Sequence, residues 1–183
     1  MRSPPELSEA LRAELLRRLR SGDPASRFAA AMTLTWVGPP AATPEVLRAL
    51  AECLRDGDGD VRRAAAMALG AMGPAAATPE VIRALAERAG DGDVWVRHGA
   101  IFALAAMGPS AARPEVLRVL AESVGEGGWG VCFVAADALR RMGKAAAAPE
   151  VVGALAERLR DDDPDVREAA AMALGGLTGA PLG

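Results

Sequence analysis

Apolar positions along this chain return with the period of an α-helix, in blocks separated by short polar turns. Val46, Leu47, Leu50 and Leu54 form one stripe at helical spacing with Arg48, Glu52 and Arg55 opposite, which predicts an amphipathic helix from Pro44. Thr43 suits the N-cap, Pro44 suits a first helical position where its missing N–H costs nothing, and Glu45 complements the dipole. The polar stretch from Arg55 to Asp60, "RDGDGD", breaks this helix. Asp58 can cap a second one that runs to Met72, where Gly73 supplies a left-handed stop and Pro74 prevents continuation.

This two-helix unit recurs. "PEV" begins at Pro44, Pro79, Pro114 and Pro149, a constant spacing of 35, and Glu9-Ala10-Leu11 holds the same register one unit earlier. The repeats are therefore 9–43, 44–78, 79–113, 114–148 and 149–183, a single domain that fills the chain after its first eight residues. A hairpin of this size cannot bury its own apolar faces, so the copies must stack.

Comparing the five copies separates core from surface. On the second helix, the column of Val61 reads Ser26, Val61, Val96, Val131, Val166, the Ala65 column is Ala in every copy, and the Leu69 column is Leu in every copy. With Ala68 and Met72 these share one face and are the expected core. A different face varies in size and charge, which a packed interior tolerates poorly. It carries Phe28, Met32 and Trp36 in the first copy, Arg63 and Met67 in the second, Trp95, His98 and Phe102 in the third, and Phe133, Asp137 and Arg141 in the fourth, with Trp129 at that helix's entrance. All six aromatic residues and the one His lie in the second half of a repeat. A contiguous aromatic, Met and Arg surface is what a binding patch needs, so these twelve residues are the expected partner-binding set.

The segments "DPDVREAAAMALGGL" from Asp163 and "DGDVRRAAAMALGAMG" from Asp58 resemble HEAT repeats, in particular the short bacterial HEAT-like type also named after phycobilisome lyases. The resemblance covers the five copies and implies an all-α, right-handed α-solenoid of five stacked 35-residue hairpins, with the second helices on its concave side. It also implies that Asp23/Arg27, Asp58/Arg62, Asp93/Arg97 and Asp163/Arg167 form a structural ladder along the stack. Both partners of that pair disappear together in the fourth copy, as Gly128 and Cys132, which suggests that the two interact.

Composition narrows the functional classes. The formal charge is −3, the pI is near 5.3, and Arg supplies nearly all the positive charge, which gives no bulk electrostatic case for nucleic acid or an anionic membrane. The two cysteines, Cys53 and Cys132, occupy non-equivalent positions and read as free thiols. No run approaches signal-peptide or membrane-spanning length, which points to the cytoplasm.

Several local patterns dissolve in context. "DGDGD" and "DDDPD" open like a calcium loop, but Val61 stands where its turn Gly should be and Met67 where its bidentate Glu should be, so helix capping explains them and no metal is expected. "GEGGWG" at 125–130 fits G-x-G-x-x-G but follows a helix, and reads instead as a loosened turn of the fourth copy. His98 lacks a nearby Cys, Ser or second His, so no catalytic residue and no cofactor are assigned.

The first copy looks like a cap, with Ser26 and Thr33 at core columns, whereas the last keeps the interior pattern and leaves room for self-association. The expected function is a non-enzymatic interaction or scaffold module that binds a protein or peptide. The rival readings are a bilin lyase or chaperone-like protein, a HEAT-like nucleic-acid enzyme of the glycosylase kind, and an engineered repeat scaffold.

Overall fold

The computed structural model describes residues 8–126 and 128–178, apart from the side chains of Glu126 and Trp129. Ten α-helices are found among them: α1 (Glu9–Leu19), α2 (Pro24–Val37), α3 (Pro44–Cys53), α4 (Gly59–Met72), α5 (Pro79–Arg88), α6 (Val94–Met107), α7 (Pro114–Glu126), α8 (Gly128–Met142), α9 (Pro149–Arg158) and α10 (Pro164–Thr178). Each 35-residue copy contributes one hairpin, and the hairpins stack as an all-helical repeat solenoid.

Local chemistry fixes the helix starts. Thr43 and Thr78 accept hydrogen bonds from the N–H groups of Val46 and Val81. Asp58 accepts from Asp60 and Val61, and Asp93 from Trp95, which satisfies amides that an uncapped first turn leaves open. The ends are equally explicit. Gly38, Gly73, Gly108 and Gly143 all have positive φ, between 56° and 67°, where a side chain would be strained. A single 3-10 turn follows each of them and inserts a fully buried alanine, Ala41, Ala76, Ala111 or Ala146, between hairpins.

The expected core columns are buried, from Leu34, Leu69, Leu104 and Leu139 to Ala65, Ala100, Ala135 and Ala170. Second helices pack along one another (α2 on α4, α4 on α6, α6 on α8, α8 on α10) far more closely than first helices do. Small residues permit this approach: a Cβ added to Gly70 would lie 3.1 Å from the Ala103 Cα, and one added to Gly176 would lie 2.7 Å from the Arg140 Cα. The layer of second helices is thus the more tightly spaced side of the stack.

The fourth copy differs from the expected loosened turn. Helix α7 has 13 residues, whereas α3, α5 and α9 have 10 each, so it consumes most of the turn instead of opening it. Glu126 replaces the turn aspartates Asp56 and Asp91, and Glu continues a helix where Asp tends to leave one. Gly128 then starts α8 at φ 66°, where Asp58 and Asp93 both cap their helices at φ −87°. No helix among the described residues is long and apolar enough to cross a membrane.

Candidate partner-binding groove

Helices α4 and α6 create an apolar cleft on the layer of second helices. Neither Gly70 nor Gly99 has a side chain to fill the seam between them: the Phe102 ring lies 3.5 Å from where a Gly70 Cβ would stand, and Ala66 lies 3.5 Å from the corresponding point at Gly99. These glycines form the floor of a cleft of ≈ 560 Å³ whose walls include Arg63, Met67, Trp95, His98 and Phe102, with Thr35 of α2 at one end. Trp95 is 64% exposed and Phe102 52% exposed, so both rings border the cleft with large apolar surface in solvent.

The predicted stripe therefore divides. Its second- and third-copy members, Arg63, Met67, Trp95, His98 and Phe102, come together in this cleft. Trp36, 87% exposed, stands on α2 outside the cleft lining. Phe28 and Met32 lean against the core, and Phe28 also borders a shallower depression with Asp23, Asp58 and Asp60. Phe133 is half-buried, and the Trp129 side chain lies outside the described residues.

The charges on this face are mostly engaged with one another. Arg63 donates to Asp60 at 2.9 Å. Asp137 accepts from both Arg140 and Arg141 one turn along α8. Burial raises the Asp137 pKa, but the hydrogen bonds from these two arginines outweigh it and hold the carboxyl below its ordinary value.

The structural ladder requires a correction. The expected pairing joined Asp23 to Arg27 and Asp58 to Arg62 within one helix, but those aspartates are committed to capping. The arginines reach into the next repeat. Arg27 makes a bidentate contact with Asp56 at 2.6 and 2.9 Å, and Arg62 one with Asp91 at 3.1 and 3.0 Å. Each arginine also ties down its own turn, Arg27 through the Ser21 carbonyl and Arg62 through those of Asp56 and Gly57. Arg97 and Arg167 bind their own turn carbonyls in the same way. For Asp56 and Asp91, burial raises the pKa, but the arginine bonds and the backbone N–H of Asp58 or Asp93 overcome it, and both carboxyls lie below the ordinary value.

Where Cys132 replaces the ladder arginine, its thiol donates to the Val124 carbonyl in the extended last turn of α7. Both cysteines are buried, and burial pushes each thiol up to about 11, which keeps them protonated and weakly nucleophilic at neutral pH. The carboxylates of "DGDGD" are all occupied: Asp56 holds Arg27, Asp58 caps α4, and Asp60 holds Arg63.

Sequence reasoning missed Gly70 and Gly99 as the cleft floor, and Asp56 and Asp91 as the ladder acids. The first two carried a signal, since glycine inside a helix is unfavourable unless close approach requires it. The acids carried one too, because Ser21, Asp56, Asp91, Glu126 and Asp161 form a column of their own.

Comparison with known proteins agrees with this architecture. No curated protein matches the chain significantly. Among solved structures, an engineered protein superposes with a TM-score of 0.72 at 21% identity, covering 93% of this chain and 81% of its own. A designed armadillo repeat protein in complex with the peptide (KR)4 superposes with a TM-score of 0.69 at 16% identity, covering 92% and 82%. A family model for HEAT repeats matches residues 47–140, and a HEAT-like repeat model matches residues 133–176. With the two matches together covering residues 47–176, the chain belongs to the HEAT-repeat family.

Proposed function

We propose that the chain is a non-enzymatic interaction module that binds a peptide or protein segment across its second-helix face, with the α4–α6 cleft as the principal anchor site. The observation that carries this reading is the placement of Trp95, Phe102 and Met67 in solvent around a glycine-floored cleft, where the core had no need of them. Rigid, half-exposed aromatics around a depression bury large area at small entropic cost, which is how an anchor pocket takes up an apolar side chain. The close packing of the second helices supports an inner, concave placement for this face. A structural neighbour described as holding the peptide (KR)4 supports a peptide-like partner. The buried, high-pKa thiols and the mutually paired carboxylates and arginines leave a surface suited to recognition rather than to bond-breaking.

The test is to pan a displayed random-peptide library on the immobilised chain, then titrate the selected peptides against wild type and a Trp95→Ala/Phe102→Asp variant. Peptides that share an apolar anchor and lose at least about tenfold in affinity on the variant support the reading. Peptides that bind both proteins equally place the binding surface elsewhere.

A further inference from the structure

Three columns of the second helices carry no charge in four of the five copies. They read Met32, Met67, Phe102 and Met172; Thr35, Gly70, Ala105 and Gly175; and Trp36, Ala71, Ala106 and Gly176. The fourth copy fills all three with charge, as Asp137, Arg140 and Arg141. Stacking does not require these residues, since α4 and α6 pack on their neighbours with small or apolar side chains at the same positions. Helix termination does not require them either. A basic residue in the last turn complements the dipole, yet α2, α4, α6 and α10 all end without one.

The three side chains do not neutralise one another. Both arginines donate to the single Asp137 carboxylate, which lies below its ordinary value and stays ionised at neutral pH, so the cluster keeps one positive charge in excess. The Arg140 and Arg141 side chains are 45% and 53% exposed, and among the described residues neither pairs with a second carboxylate. Arg141 donates through Nε alone, which leaves both of its Nη groups to a ligand. By its column it stands one helix along from Ala106 in the cleft wall, about 9 Å away. The cleft itself adds Arg63 and His98, and none of its described lining residues is acidic. On the opposite side the acids are already engaged: Asp23 and Asp58 cap their helices, and Asp60 holds Arg63.

We propose that the segment bound in the α4–α6 cleft is an extended acidic peptide, whose apolar anchor fills the cleft and whose carboxylate, about two to four residues away, meets Arg141 and Arg140 on α8. This inference rests on the cleft reading above and adds the charge of the partner and the direction in which it runs. The spacing follows from one helix separation crossed at about 3.3 Å per residue. A guanidinium with two Nη groups to offer matches a carboxylate in charge and in shape. A basic segment meets the opposite situation, a positive excess on α8 and acids already engaged on the far side.

Substitutions that the fold already accepts come from the chain's own columns: Arg140→Ala/Arg141→Ala follows Ala105 and Ala106, and Asp137→Met follows Met67. Circular dichroism first establishes that each variant is folded. The probe is the displayed random-peptide library, panned on the wild-type chain. The selected peptides are expected to carry Asp or Glu about two to four residues from their apolar anchor. Their affinity should fall at least about tenfold on Arg140→Ala/Arg141→Ala and hold or rise on Asp137→Met, because the first variant removes positive charge and the second removes negative charge. A cluster that only supports the fold would weaken binding in both variants alike, and that result overturns the inference. Peptides that lose affinity on Trp95→Ala/Phe102→Asp but lack an acidic residue, or are indifferent to the arginine variant, overturn it too and leave the cleft reading intact. Peptides indifferent to Trp95→Ala/Phe102→Asp, or a library that yields no binder, overturn both.

Discussion

Arg62 and Arg63 are neighbours in the chain, about 100° apart around α4, and the structure gives them opposite environments. The Arg62 side chain is 16% exposed and grips Asp91, itself 4% exposed, across the seam between repeats. The Arg63 side chain is 38% exposed, pairs with the solvated Asp60 one turn away, and walls the cleft. Their columns reflect this. The Arg62 column is Arg in four of five copies, whereas that of Arg63 holds Phe28, His98, Phe133 and Glu168 in the others. The second helix thus carries architecture on its turn edge and core face, and leaves its cleft-facing side free to vary in size and charge, as the proposed binding role would require.

The comparison would break first if the invariant columns were not what hold the stack together. Leu104→Ala removes a fully buried side chain from the centre of the third repeat and is expected to cost about 2–5 kcal/mol in urea unfolding, the largest effect of any variant considered. A loss below about 1 kcal/mol would mean that the hairpins are held by something other than their leucine seams.

The two arginines supply the next test. Arg62→Ala leaves the buried Asp91 with the Arg88 contact at 3.1 Å and the Asp93 N–H at 3.0 Å, and is expected to cost about 2–4 kcal/mol, whereas Arg63→Ala should stay within about 0.5 kcal/mol. Acid sharpens the contrast. The Asp91 carboxyl lies below its ordinary value in the folded chain, so its contribution is complete above the ordinary carboxylate range and is lost as pH falls through that range towards the folded value. The Tm of wild type should therefore drop in acid more steeply than that of Arg62→Ala, and parallel curves would show that the ladder is not an electrostatic device.

How much of this could be read from the chain follows from the distance over which each feature acts. Helix starts and stops, such as Thr43-Pro44 and Gly73-Pro74, are local, and hydrogen bonding realises them as the residues suggest. The core columns were legible because five copies repeat one burial problem. The ladder was only half legible: Arg62 and its column are conspicuous, but its partner lies 29 positions away in the next hairpin, and the nearer Asp58 seemed sufficient. The fourth turn was misread because its glycines suggested loosening, while Glu126 in place of an aspartate and Cys132 in place of the anchoring arginine favour a longer α7. The cleft floor was hidden because Gly70 and Gly99 act by what they omit.

Those two glycines give a smaller and more discriminating effect. A Cβ at position 70 meets the Ala103 backbone at 3.1 Å, too close for the seam to absorb without shifting α6, whereas one at position 99 meets the Ala66 methyl at an ordinary 3.5 Å. Gly70→Ala is expected to destabilise by about 1–2 kcal/mol despite its better helix propensity. Gly99→Ala should be neutral or stabilising by up to about 1 kcal/mol. Stabilisation by both would show that α4 and α6 are not held at the closest approach their backbones allow.

A small expected change in stability also separates surface from architecture. Phe102 sits on the same helix as Leu104, yet half of its ring faces water and the rest covers Gly70, so it has far less burial to lose. Phe102→Asp should cost no more than about 1 kcal/mol and leave the helical circular dichroism unchanged, because the carboxylate can turn into solvent. Binding of peptides selected on the wild-type chain should nevertheless fall at least about tenfold, since the anchor ring is gone and a charge stands at the cleft mouth. A loss of stability approaching that of Leu104→Ala would place Phe102 in the core, and the inner face would then be packing rather than a surface kept open for a partner.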